Sequence, residues 1–213
     1  MSRTWALIRW PVLITLAVTV LRVVGERQGW SSALFGRTAG GGAALLGISW
    51  LVPFFGAWFG LALARAGQRP AHLGRAAGRA LLGLLVAAGA IAAVVTLTSG
   101  FRVHFLVINA SMLVAAWIAA GGWPALGRTL AAYGVLARVP VIVVTALAVL
   151  GDWGTHYDAI PPNAPGLAQA GDWERIIWTG ALPQLCLWIG YTVVLGLLAG
   201  TLAAALDSRR RAA

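Results

Sequence analysis

Six apolar runs, at about residues 10–25, 41–64, 80–99, 104–122, 132–151 and 176–206, take up most of this 213-residue chain. Each is near the length of about 20 residues that an α-helix needs to cross the hydrocarbon of a bilayer. Backbone amides inside hydrocarbon find no water, so a spanning segment must satisfy them within itself, and for continuous apolar runs that means helix. The expected fold is therefore all-α: a polytopic bundle of six transmembrane helices forming one transmembrane domain over 1–213. The connection at 100–103 is very short and the one at 152–175 is the longest. Neither leaves room for a separate soluble domain.

Composition agrees with that reading. The chain is 60% hydrophobic and only 10% charged, against about 25% charged residues in a soluble domain. All 16 basic residues are arginine and the formal charge is +10. In a soluble protein that excess would suggest nucleic acid, but in a membrane protein it records topology. The expected partner is the lipid bilayer and no nucleic acid. Arg3, Arg9, Arg65, Arg69, Arg75, Arg79, Arg128 and Arg209 to Arg211 fall on one side of six crossings. Glu26, Asp152, Asp158, Asp172 and Glu174 fall on the other, with Arg27, Arg37, Arg102 and Arg175. The positive-inside rule then puts both termini in the cytoplasm. The arginine-only, Ala- and Gly-rich usage resembles a GC-rich bacterial gene, so the expected location is a bacterial cytoplasmic (inner) membrane. The first run continues as VLRVVGER from Val20, which is no small-residue cleavage site, so it is expected to stay as a span. Trp5, Trp10, Trp30, Trp123, Trp153, Trp173 and Trp178 stand near the ends of runs, where indole rings anchor at the headgroups.

The sequence carries signs of an internal parallel repeat, the first hairpin against the last. Arg9-Trp-Pro11-Val12 matches Arg138-Val-Pro140-Val141, and Pro53-x4-Trp58-x-Gly60 matches Pro183-x4-Trp188-x-Gly190, at nearly one offset. Transporters often build a central site at the interface of such repeats. The simpler reading is that Arg-x-Pro marks a cytoplasmic helix start. Pro53 and Pro183 are expected to kink their spans and free carbonyls for a cavity.

Arg138 is the sharpest single residue. If the fifth helix starts near Arg128, Arg138 lies about 15 Å along it at 1.5 Å per residue, at a depth where charge is functional by default. If instead 126–137 form an interfacial helix, Arg138 snorkels at the start of the span. Asn109 and Gln184 are amides inside apolar runs that either hydrogen-bond between helices or line a path with Arg138. Arg22 and Glu26, spaced i, i+4, are expected to pair at the outer end of the first helix. Arg102 and His104 flank the tight turn between the third and fourth spans, and His156, Tyr157 and Asp158 lie in the long outer loop. Acid/base chemistry there would require His104, His156 and Asp158 within about 4–6 Å of one another. Their density is below that of a metal site, so neither metal nor cofactor is expected. Cys186, the single cysteine, rules out dithiol chemistry within this chain. Gly56-x3-Gly60 and Gly196-x3-Gly200 are close-approach motifs, serving the bundle or an oligomer.

Leu182-Pro-Gln184 resembles the proline–glutamine step of small sugar and amino-acid transporters, but those have seven helices, and Pro53-Phe54 stands where the first copy should be. Thr98-Ser99-Gly100 lacks the later-helix histidine of an intramembrane serine protease. Three functions follow as expectations. The first is a small-solute permease, channel or membrane-embedded transport component, its path marked by Arg138, Asn109, Gln184, Pro53 and Pro183. The second is an accessory or assembly subunit in a homo-oligomer or larger membrane complex. The third is an outer-face lipid-modifying enzyme using His104, His156 and Asp158. A proton-driven pump needs a carboxylate deep in the bundle, and none of the runs carries one at its centre.

Overall fold

The computed structural model describes residues 3–41, 44–97 and 100–212, and among them every regular element is helical. The elements are α1 (Arg3–Arg27), α2 (Leu51–Arg65), α3 (Leu73–Leu97), α4 (Phe101–Ala120), α5 (Pro124–Gly151), α6 (Asp172–Arg175) and α7 (Ile189–Ala212). Two π-helical stretches, Ile176–Ala181 and Gln184–Trp188, join α6 to α7. They make one continuous sixth span, and six helices are long and apolar enough to cross a membrane. Large apolar side chains such as Phe54, Leu85, Leu97, Trp117 and Leu202 point outward around the bundle. An exterior of that kind belongs against lipid tails rather than water. Thr98 and Ser99 lie outside the described residues.

α7 sits at the centre, packed by α2, α3, α4 and α5; α3 and α4 form a tight hairpin, and α1 lies outside against α5. The two glycine motifs meet each other inside the chain. A methyl group built on Gly56 would stand 2.5 Å from the Gly196 Cα, and one on Gly60 would stand 2.5 Å from the Gly200 Cα. Close backbone approach of this kind is what small-xxx-small spacing permits in lipid. Phe55 and Phe59 of α2 set their rings edge-on to Tyr133 of α5, with centroids 5.6 Å apart in both pairs.

Helix α1 is amphipathic in the inverted sense. Ile8, Thr15, Thr19, Arg22 and Glu26 are buried on one stripe, while Trp10, Leu13, Leu16, Val20 and Val24 are exposed. In lipid the polar stripe is the one that must find partners inside. Thr15 shares a 2.8 Å hydrogen bond with the Tyr133 hydroxyl, tying α1 to α5.

Four expectations change. The second span does not begin near residue 41: Gly40 takes φ 73°, and helix α2 starts at Leu51 after a 3-10 turn over Ile48–Trp50. The glycines of this stretch disfavour helix by about 1 kcal/mol each. Pro53 consequently falls in the first turn of α2, where its missing N–H leaves no intrahelical bond unmade, unlike the mid-span position expected for it. Residues 126–137 are continuous with the rest of α5 rather than a separate interfacial helix, opened by Pro124 at its first turn. Trp123 is a core residue rather than a headgroup anchor, buried with its indole N–H donated to the Gln68 carbonyl at 2.8 Å.

Candidate functional site

The continuity of α5 decides where Arg138 stands. It lies halfway along the helix, about 20 Å from either end at 1.5 Å per residue, and is only 4% exposed. Arg9, its counterpart in the apparent repeat, is exposed, with its guanidinium 5.7 Å from the Trp10 ring. The two matched arginines therefore occupy opposite environments. Arg138 donates to the Gln184 Oε1 at 3.3 Å and its guanidinium lies 4.8 Å from the Trp188 ring centroid. Among the described residues no carboxylate forms an ion pair with it.

These side chains line a cavity of about 390 Å³ between the C-terminal half of α1, the middle of α5, the loop after α5 and the N-terminal half of the sixth span. Thr145, Pro183, Gln184, Trp188 and Tyr191 line it from α5 and the sixth span. Arg22, His156 and Tyr157 line it near the C-terminal end of α1, with Gly47, Ile48 and Ser49 also on its wall. The local backbone explains why this part of the sixth span is wide. Pro183 has no N–H to donate and interrupts the ladder, and the helix passes that point as two π-helical stretches, a form that recurs at functional sites. Asn109 of α4 repairs part of the damage. It is buried, accepts from the Leu187 N–H at 3.2 Å and donates to the Phe105 carbonyl at 2.8 Å. Asn109 thus holds the site's wall without lining the cavity.

At the outer end, Glu26 is fully buried. Its carboxylate accepts from the Arg22 Nε at 2.8 Å and from the His156 backbone N–H at 2.8 Å, and meets the His156 Nδ1 at 2.5 Å. Arg37 donates to the Glu26 carbonyl and Arg22 to that of Gly36 at 3.3 Å, which pins the loop after α1. Burial holds the His156 imidazole below its ordinary pKa, partly offset by the hydrogen bond to Glu26. The expected Arg22–Glu26 pair is present, and His156 is the third member that spacing alone did not reveal.

Of the trio expected for acid/base chemistry, His156 lines the cavity and His104 and Asp158 do not. The Asp158 carboxylate is taken up by the Gly154 and Thr155 N–H groups, both at 2.8 Å, and the Thr155 hydroxyl at 2.7 Å. Burial works to raise its pKa, but these bonds hold the carboxylate below the ordinary range. Among the described residues no three His, Cys, Asp or Glu groups are placed so that they could hold a metal ion, and His104 is not part of the cavity wall. Arg102 pairs instead with Glu174 at 2.5 Å on the surface. Pro53 is likewise away from the cavity. The sequence reading missed Tyr191, Thr19 and Trp188 as lining groups. The signal for them was spacing: Trp188 and Tyr191 stand at i+4 and i+7 from Gln184, and Thr19 at i−7 from Glu26. Comparison with known proteins finds no family model that matches this chain, no similar curated protein and no similar solved structure.

Proposed function

We propose that this protein is a membrane-embedded transport component that receives a small solute in the cavity between α1, α5 and the sixth span. One observation carries the reading: a guanidinium at the middle of a spanning helix, buried, without a carboxylate partner, on the wall of a cavity about the size of a small-molecule site. A purely structural bundle has no use for that charge. The π-wound outer half of the sixth span supports the same reading, because it breaks regular helix at the cavity wall. In this proposal both termini face the cytoplasm, the cavity opens toward the opposite side, and the membrane is a bacterial inner membrane, as the arginine distribution suggests.

The test needs no knowledge of the solute. In a Cys186→Ala background, single cysteines are placed at Thr145 and Ser49 and exposed to a membrane-impermeant thiol reagent from either side of sealed vesicles. A transport component should label at Thr145 from at least one side, and more slowly than at Ser49. No labelling at Thr145 from either side would mean a dry bundle and would defeat the proposal.

The accessory-subunit reading draws on one feature, the outward small residues of α3. Side chains built on Gly74, Gly78 and Gly89 would meet nothing, leaving a smooth face for another helix. A defined partner co-purifying at near-stoichiometric amount, lost on Gly78→Leu, would support it.

A further inference from the structure

We infer that the cavity is selective for an organic monoanion, a carboxylate or a phosphodiester, with Arg138 holding the charge and the surrounding aromatic rings holding the body. The inference rests on the reading of the cavity as a solute site and adds the chemistry of the solute.

Charge bookkeeping around the cavity supplies the argument. Its wall contains Arg22, Arg138 and His156 and no aspartate or glutamate. Arg22 is paired with Glu26 immediately behind it, and His156 is hydrogen-bonded to the same carboxylate. Among the described residues, one positive charge, that of Arg138, has no carboxylate paired with it. A buried ion is retained only when something pairs with it, and one uncompensated guanidinium calls for one negative charge.

Hydrogen bonding gives the same answer. Guanidinium has five donors and no acceptor. The guanidinium carbon stands over the Trp188 ring, 4.8 Å from its centroid, and the Gln184 Oε1 takes one N–H. The remaining in-plane donors suit the two oxygens of a carboxylate or phosphodiester. Because the Gln184 oxygen already accepts from Arg138, its NH₂ is the end left to donate, which also selects an acceptor. Trp50, Phe105, Trp178, Trp188 and Tyr191 line the same space, a wall that favours an apolar or flat body.

Carboxylate solutes and phospholipid headgroups both carry this charge, and the experiment separates them. The full-length protein in detergent is melted at constant ionic strength with benzoate or its neutral counterpart benzyl alcohol, and with dihexanoyl phosphatidylglycerol or the zwitterionic dihexanoyl phosphatidylcholine. The expected result is a concentration-dependent rise in melting temperature with an anionic probe but not its partner. Benzoate alone assigns a soluble carboxylate, phosphatidylglycerol alone a lipid headgroup, and both a shared site. Arg138→Met should weaken the response about tenfold or more, as expected for loss of a charge-assisted bond. Arg138→Lys keeps the charge without the fork and should weaken it less, and it stands in if the methionine variant does not fold. Equal shifts with the neutral or zwitterionic probes, or an unchanged response in Arg138→Lys and Arg138→Met, would overturn the inference. If neither anion acts while a cysteine at Thr145 is labelled, the charge assignment fails and the cavity reading stands. If Thr145 is also unlabelled, both fall.

Discussion

The two halves of the sixth span are built on opposite principles. From Ile189 onward, α7 is a regular helix zipped to α2 with backbone against backbone at Gly56–Gly196 and Gly60–Gly200. Before Ile189, the same span is π-wound around Pro183, carries Trp178, Gln184 and Trp188, and borders a cavity. The inner half gains from close packing in a solvent that offers helices no hydrophobic driving force. The outer half gives up that packing and part of its hydrogen-bond ladder, and what it holds in return is a buried charge. A span can thus anchor a bundle at one end and build a site at the other.

The largest expected effect attacks the inner half. Gly56→Leu would push a branched side chain into the Gly196 backbone, where no rotamer can escape. It should destabilise the protein by about 3 kcal/mol or more, read as loss of the monodisperse peak or a large fall in melting temperature. A variant melting like the parent would mean that α2 and α7 are not zipped, and the contrast between halves would collapse.

An intermediate effect is expected at the junction of the halves. Asn109→Ala removes the acceptor that satisfies the Leu187 N–H, leaving an unpaired amide at about 1–3 kcal/mol, or about 2–4 °C in melting temperature per kcal/mol for a chain of this size. Unchanged stability would show that the π-wound stretch satisfies itself, and that the outer half is a self-contained element.

The smallest effect concerns the outer closure. The imidazole of His156 faces Glu26 and Arg22 from α1, with Asp158 and Tyr157 beside it in its own loop. Because its folded pKa lies below the unfolded value of about 6.5, the folded state binds fewer protons there. Its contribution is complete above about pH 6.5 and is lost as pH falls. A modest drop in melting temperature is expected between about pH 7.5 and pH 5.5, flattened in His156→Gln. A rise on acidification would mean that imidazolium pairs with Glu26 in the fold, and that an ion pair rather than a neutral hydrogen bond seals this end.

Apolar length and composition alone determined that the chain is a bundle of six membrane-length helices, because hydrocarbon leaves the backbone one economical way to satisfy itself. Local spacing was enough for the Arg22–Glu26 pair, since i, i+4 neighbours meet on any helix. Arg138 stood out for its cost in an apolar run, but its place along the fifth helix was undecided until α5 proved continuous from Pro124. Only the tertiary structure turned the two glycine motifs toward each other, brought His156 130 residues along the chain to Glu26 and set Asn109 behind the cavity instead of on it. Likewise, Pro53 and Pro183 look alike in sequence, yet one opens a helix and the other breaks a ladder. Position within an element decides what a missing N–H does, and which elements face each other decides whether a polar side chain meets a partner or a cavity; both are long-range facts that pattern and composition do not carry.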